Sequence, residues 1–288
     1  MKVEVKIIKA FSIGHSGGNP AGVVVDADNL SREQKQQVAA RVGLSETAFV
    51  SASRQADVKL DFFTPTRQIA HCGHATIATF TYLKQAGRIL NDLSSKETID
   101  GNRSIFFKDG NAYMEQKAPE FLPLEIPMDL ILQSLGITEA DLIPGQLPMI
   151  VNTGNSFLIV PVKDSKVLAG LRPDYDVIAS VSSKAGLIGY YVYTPTFDGS
   201  LQATTRMFAP YYGIEEESAT GMAAGPLAGM LYRLGITEQE EILIEQGRYM
   251  QPASPSLIRV HLDLADGKIR RLFAGGHAYV AGVKLVEL

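Results

Sequence analysis

The sequence predicts an α+β fold made of two pseudo-repeated domains, each a barrel-like, mostly antiparallel sheet wrapped around one central helix. Three observations predict it. Matching features recur in one order with growing separations: Gly18-Asn19 and Gly154-Asn155 lie 136 residues apart, Gly43 and Gly186 143, Phe63 and Phe208 145, and Gly73 and Gly221 148. Steady growth in a fixed order marks an internal duplication of about 120–140 residues. Next, the helical segments at 74–86 and after Gly221 are apolar nearly all round, as Ala75, Ile77, Ala78, Phe80, Tyr82 and Leu83 show for the first. Such a helix must be enclosed on every side. Finally, the segments around these helices are mostly short strand-like runs, so the enclosing element is a curved sheet.

Taken in order, residues 3–10 alternate charged with apolar side chains and read as a first strand, not a signal peptide. The turn from Gly14 to Pro20 leads into the apolar run 21–25. Ser31 with Gln34 forms a capping box for a helix that runs to about Val42 and stops at Gly43. Strands follow at 46–51 and 57–63, then the loop and helix of 64–86. Residues 97–117 read as two strands joined by the hairpin signal Asp109-Gly110-Asn111. The proline-spaced stretch 118–127 reads as the inter-domain connection, which gives domains 1–120 and 121–288. In the second domain helices are expected at 130–135 and near 176–185, each ended by a glycine, and a strand at 190–193. Pro226 is expected to bend the second central helix or distort its first turns. Residues 278–287 close the chain as a strand that packs back on the first domain.

Composition limits the function classes. The 288 residues carry a formal net charge of −4, with Lys and Arg scattered, which argues against nucleic-acid binding. No run approaches the ~18 apolar residues of a membrane span. One cysteine forbids an internal disulfide, argues against a structural zinc site and fits a reducing cytoplasm.

The chemistry concentrates at two loops. In the first, an apolar strand end and a Thr-Pro turn lead to Cys72-Gly73-His74 and the start of a helix. Backbone N–H groups at a helix start, with the helix dipole, favour a carboxylate or other anion. Gly73 lets the backbone approach a ligand, and His74 can move a proton near neutral pH. The second loop, Glu215-Glu216-Glu217 followed by Thr220-Gly221-Met222, is a degenerate copy, in which at least one of the three glutamates is expected to point inward.

Residues present in one half only carry the most information. Glu46 has Gly189 as its counterpart. It reads either as a solvated strand end or as a buried carboxylate suited to accept and return a proton. Cys72, opposite Thr220, reads first as a small buried hydrophobe; a single thiol rules out a two-thiol racemase. His71 and the remaining histidines read as structural. Asn19 and Asn155 either donate to a substrate or hold their turns.

GNPAGVVV at 18–25, SETAFV at 45–50, FFTPTRQIAHCGHATIA at 62–78 and RMFAPYYGIEEESATGMAAGPLAG at 206–229 together resemble the PhzF family of isomerases, which shares the diaminopimelate epimerase-like fold. The resemblance spans nearly the whole chain. It implies an active site in the cleft between the domains, and a cytoplasmic homodimer with neither metal nor organic cofactor. It also implies Glu46 as acid/base, His74 as its assistant and substrate ligand, and Glu217 at the position of a family aspartate. Typical members read E-D-P-A-T-G-S in the second loop; here Ser218 replaces the Pro and Met222 the final Ser. The expected function is therefore a cofactor-independent isomerase that shifts a proton within a small carboxylate-bearing metabolite. Asn19, Gly73, His74, Thr220, Gly221 and Met222 are expected to bind that substrate. The alternative is a non-catalytic small-molecule sensor of the same fold.

Overall fold

The computed structural model describes residues 1–198 and 201–288. The chain forms two compact units, one made of residues 1–115 with 275–288 and the other of residues 116–274. Among the described residues no helix is long and apolar enough to cross a membrane.

The first unit opens with β1 (Lys2–Ala10) and β2 (Asn19–Val24), an antiparallel pair. Helix α1 (Arg32–Val42) follows. Gln34 N–H donates to Ser31 Oγ at 3.2 Å and Ser31 N–H to Gln34 Oε1 at 2.9 Å, and Gly43 ends the helix in the left-handed region at φ 74°. Both ends therefore form as the sequence predicts. Ser31→Ala removes an acceptor for the first turn and is expected to cost about 1 kcal/mol in urea unfolding. The inner face of α1, Val38, Ala39 and Val42, packs with Val3, Val5, Val24, Phe49 and Phe63.

Strand β3 (Thr47–Ser51) then lies parallel to β2, and β4 (Val58–Phe63) antiparallel to β3. The two-residue β5 (Gln68–Ile69) pairs with the end of β4 and leads into α2 (Gly73–Gln85). Strand β6 (Leu93–Thr98) runs parallel to β4, β7 (Gly101–Lys108) antiparallel to β6, and β8 (Asn111–Lys117) antiparallel to β7. Ten of the thirteen residues of α2 are buried, so the helix is wrapped rather than laid on a surface. Thr76 and Thr79 tolerate that burial because their hydroxyls donate to the carbonyls of Cys72 and Ala75, at 2.6 and 2.7 Å.

The second unit repeats this plan. Strand β9 (Glu120–Leu122) is followed by α3 (Met128–Leu135), then β10 (Met149–Asn152) and β11 (Ser156–Pro161). Helices α4 (Ser165–Ala169) and α5 (Tyr175–Ala185) precede β12 (Gly189–Asp198), β13 (Leu201–Ala209) and the short β14 (Ile214–Glu217). Helix α6 (Gly221–Arg233), β15 (Glu241–Gln246), β16 (Ser256–Ala265) and β17 (Lys268–Gly276) complete it. Strand β11 is antiparallel to β10 and parallel to β12, β13 is antiparallel to β12, and β15 is parallel to β13, the same senses as in the first unit. The hairpin residues recur as well, Asp109-Gly110 at φ 51° and 75° and Asp266-Gly267 at 50° and 71°, the backbone a two-residue hairpin needs. Helix α6 also has ten buried residues among thirteen. It runs unbroken through Pro226, with the N–H groups of Ala223 and Ala224 sharing the Thr220 carbonyl. Gly225 leaves room there for the Gln116 side chain, since a Cβ would lie 2.1 Å from its Oε1 and displace it. On the other face of the sheet, Ile131, Leu135, Ile178 and Val181 of α3 and α5 bury against Leu158, Val160, Tyr190 and Val192. The C-terminal strand β18 (Ala278–Glu287) returns to the first unit, antiparallel to β1 along its length.

One reading from the sequence changes, and one strand is added. Residues 118–127 are not a plain connection, because β9 pairs with β10 through Leu122↔Ile150, Phe121↔Val151 and Glu120↔Asn152. The expected 120/121 boundary thus falls inside a strand. Pro119 and Pro123 stand at its ends, where a missing N–H breaks no ladder. The two strands expected over 97–117 form as β7 and β8, joined at Asp109-Gly110, and a further strand, β6, precedes them. Strand β6 escaped notice because the side chains it turns inward are Ser94, Lys96 and Thr98, which leaves no hydrophobic alternation to read.

Candidate active site

The local sequence around α2 builds the first cluster. Thr64 N–H donates to the Arg67 carbonyl at 2.8 Å and Thr64 Oγ1 accepts from Arg67 N–H at 3.1 Å, closing the Thr-Pro turn that ends β4. The chain then enters α2 through Cys72, whose extended backbone (φ −146°, ψ 122°) supplies no side-chain cap. The first turn of α2 carries no acidic residue either. The positive end of the helix dipole is therefore left for something other than a capping side chain.

Three buried side chains meet there. Glu46, at the mouth of β3, is 7% exposed, and its own carbonyl is anchored by Gly22 N–H at 3.0 Å. Its Oε2 lies 3.3 Å from His74 Nε2, and His74 Nδ1 lies 3.6 Å from Cys72 Sγ. Glu46 is thus the buried carboxylate and not the solvated strand end. Burial pushes the Cys72 thiol above its ordinary pKa, against the opposing pull of His74. The imidazole thus stands between the two, with Nδ1 toward the sulfur and Nε2 toward the carboxylate. Cys72 is buried as expected, and its sulfur also contacts the neighbouring imidazole. Donor atoms of Glu46, Cys72 and His74 all lie within 4.8 Å of one another. The imidazole turns opposite nitrogens to the sulfur and the carboxylate, however, and one ion can take only one of them. The set suits a proton relay better than a metal. Asn19 is buried as the first residue of β2, opposite Ala10.

The second unit has its own cluster at the start of α6. Thr220, the residue before the helix, gives no side-chain cap, and the first turn again has no acidic residue. Instead Thr220 Oγ1 donates to the Glu217 carboxylate. The fully buried Gln246 of β15 ties this together: Nε2 donates to the Glu217 carbonyl at 2.7 Å and to Thr220 Oγ1 at 3.1 Å, and Oε1 accepts from Thr220 N–H at 3.0 Å and Tyr191 OH at 3.1 Å. Burial holds the Tyr191 phenol protonated. Of the acidic run, Glu215 is exposed, while Glu216 makes a bidentate pair with Arg206 at 2.8 Å on both arms. Asn155 Nδ2 lies 3.6 Å from Met222 Sδ, whereas the turn before it is held by Asn152 Oδ1, which accepts from Gly154 N–H at 2.7 Å. Sequence reasoning missed Gln246, Tyr191 and, in the first unit, Lys96. None of them lies in a recognisable motif.

Comparison with known proteins adds the following. The family model described as "Phenazine biosynthesis-like protein" matches residues 8–282. A protein of Escherichia coli (strain K12) named uncharacterized isomerase YddE is 30% identical over 293 residues, 97% of each chain. The trans-2,3-dihydro-3-hydroxyanthranilate isomerase of Pseudomonas chlororaphis is 31% identical over 285 residues, 96% of each chain. The crystal structure of a Bacillus anthracis phenazine biosynthesis protein of the PhzF family covers both chains fully at a TM-score of 0.89 and 28% identity.

Proposed function

Because the chain belongs to the PhzF family of phenazine biosynthesis-like proteins, several of whose relatives are named isomerases, we propose that it moves a proton within a small carboxylate-bearing substrate, with Glu46 as acid and base. The observation that carries this reading is the buried Glu46–His74–Cys72 chain at the uncapped start of α2. The substrate carboxylate sits on the backbone N–H groups of Gly73 and His74. Glu46 removes a proton from carbon, the bonding pair of that C–H moves into the conjugated system, and a new C–H bond forms where Glu46 returns the proton. His74, whose Nε2 lies 3.3 Å from Glu46 Oε2, holds the carboxylate in place for that transfer. The cycle ends with the same carboxylate it began with, so it consumes no redox equivalent and calls on no cofactor.

Glu217 with Thr220, Gly221 and Met222 is assigned to substrate binding on the match to the family's second motif. Met222 puts a thioether where typical members have a hydroxyl. A site that loses one polar partner changes its selectivity strongly, so the preferred substrate is expected to lack the group that serine would bond. The test is proton exchange. The protein is incubated in deuterated water with trans-2,3-dihydro-3-hydroxyanthranilate and a panel of related cyclic carboxylates, and followed by proton NMR. At least one compound is expected to take up carbon-bound deuterium catalytically. A panel that binds, as read by thermal shift, but never gains deuterium would overturn the isomerase reading in favour of a sensor.

A further inference from the structure

Strand β6 holds a side chain that the fold does not require. Lys96 is fully buried. Its Nζ donates to Thr76 Oγ1 at 2.7 Å, lies 3.1 Å from His71 Nδ1 and sits over the Phe62 ring at 5.2 Å. Among the described residues no carboxylate comes within ion-pair distance of it. The second unit shows what the fold accepts in this place. Lys96 pairs with Val58 in the first unit, and Ile244 pairs with Ala203 in the second. Lys96 and Ile244 are 148 residues apart, as are Gly73 and Gly221. An aliphatic side chain thus serves where no chemistry is needed. Burying an amine without a counter-ion costs stability, and natural chains keep such costs where function demands them.

The position suggests the function. Thr76 Oγ1, which accepts from Lys96, itself donates to the Cys72 carbonyl at 2.6 Å. Lys96 is therefore one hydrogen-bonded step behind the first turn of α2, where Gly73 and His74 begin the helix. Burial pulls Lys96 down to about 7. The groups around it are accounted for by element. His71, in the loop before α2, is pushed down to about 3 by burial and by Lys96 itself, so it stays neutral and accepts. Cys72 in the same loop and Asp100 in the β6–β7 turn favour the charged lysine, and Arg103, opposite it on β7, disfavours it. Asp100 and Arg103 are paired with each other at 3.0 Å. From β4 it meets the Phe62 ring and from α2 the Thr76 hydroxyl. The two acceptors and the ring face give an ammonium somewhere to point its protons, but no fixed negative charge to hold them.

We propose that Lys96 is a positioning residue that takes up a proton when a carboxylate occupies the first turn of α2 and releases it when the carboxylate leaves. This rests on the reading of that turn given above. A unit charge about one helical turn away, at an effective dielectric near 20, changes proton affinity by roughly one to two orders of magnitude. Binding should therefore draw protons from solution above neutral pH.

The test is calorimetric titration with 3-hydroxyanthranilate, an aromatic carboxylate that cannot turn over, from pH 6 to 9 in buffers of different ionisation enthalpy. The wild-type protein is expected to take up close to one proton per ligand near pH 8, with Kd weakening by up to ~10-fold per pH unit above 7. In Lys96→Ile and Lys96→Met the uptake should vanish and Kd become flat over the same range. Proton uptake that persists in both variants would overturn the assignment to Lys96 while leaving the α2 site standing. A wild-type protein that does not bind the carboxylate at any pH would overturn the α2 reading and this inference with it. Failure of both variants to fold, or lower melting temperatures in both, would make Lys96 structural and likewise overturn the proposal.

Discussion

Glu46→Gln is expected to stop deuterium incorporation, lowering the exchange rate by ~10³-fold or more, within the range that a positioned general base contributes. The amide matches the carboxylate in size. It keeps the same shape beside His74 Nε2, 3.3 Å away, so the buried cluster stays packed and the melting temperature should change little. What is lost is the ability to hold a proton taken from carbon. Ligand-induced stabilisation should survive, because the carboxylate of the substrate is assigned to backbone N–H groups and not to Glu46. Exchange at the wild-type rate in this variant would remove Glu46 from the chemistry, whatever the ligand. Loss of binding together with exchange would assign it to recognition instead.

Lys96→Ile is expected to stabilise the protein at pH 6–7. The sign follows from proton counting. In the unfolded chain the lysine titrates near 10.5, and in the fold at about 7. Between those values the unfolded state holds a proton that the folded state has lost, so wild-type stability rises with pH across that window and is flat on either side. At pH 7 and below the full penalty is present, on the order of 5 kcal/mol from the size of the shift. Removing the amine also deprives His71 Nδ1 of a partner, which returns about 1–3 kcal/mol. The net gain is about 2–4 kcal/mol, a rise in melting temperature of roughly 5–15 °C. The advantage of the variant should shrink as pH approaches 10.5, read from urea unfolding at several pH values. A variant less stable than wild type at pH 6–7, or a difference unchanged from pH 7 to 10, would show that the buried amine carries no such cost. Together with the loss of proton-linked binding, a gain in stability would identify Lys96 as a residue kept for function.

The halves of the chain explain what could be read in advance. The capping box at Ser31 and Gln34, the glycine stops at 43, 136 and 186, and the Asp109-Gly110 hairpin are local backbone chemistry, and each formed where the sequence placed it. The two central helices were legible because an all-apolar helix has only one stable environment. The repeat was legible because its landmarks are glycines and prolines, whose backbone demands survive divergence of the side chains. Strand β6 was not legible. Its inward residues are polar, and polar inward residues look like loop until their partners, Thr76 and Asp57, are brought alongside. Strand β9 was hidden in the same way, its prolines reading as linker until β10 supplied the other half of the ladder.

The sequence by itself determined the family, the duplicated plan and which half carries Glu46 and His74, because these follow from residue types at fixed spacing along one chain. Only the tertiary structure decided that Glu46 is buried against His74, that Cys72 meets the other ring nitrogen, and that Gln246 braces the second loop. It also decided that Lys96 stands behind the α2 start. Those are properties of pairs far apart in the chain, and burial and hydrogen bonding do not exist until folding brings both members together.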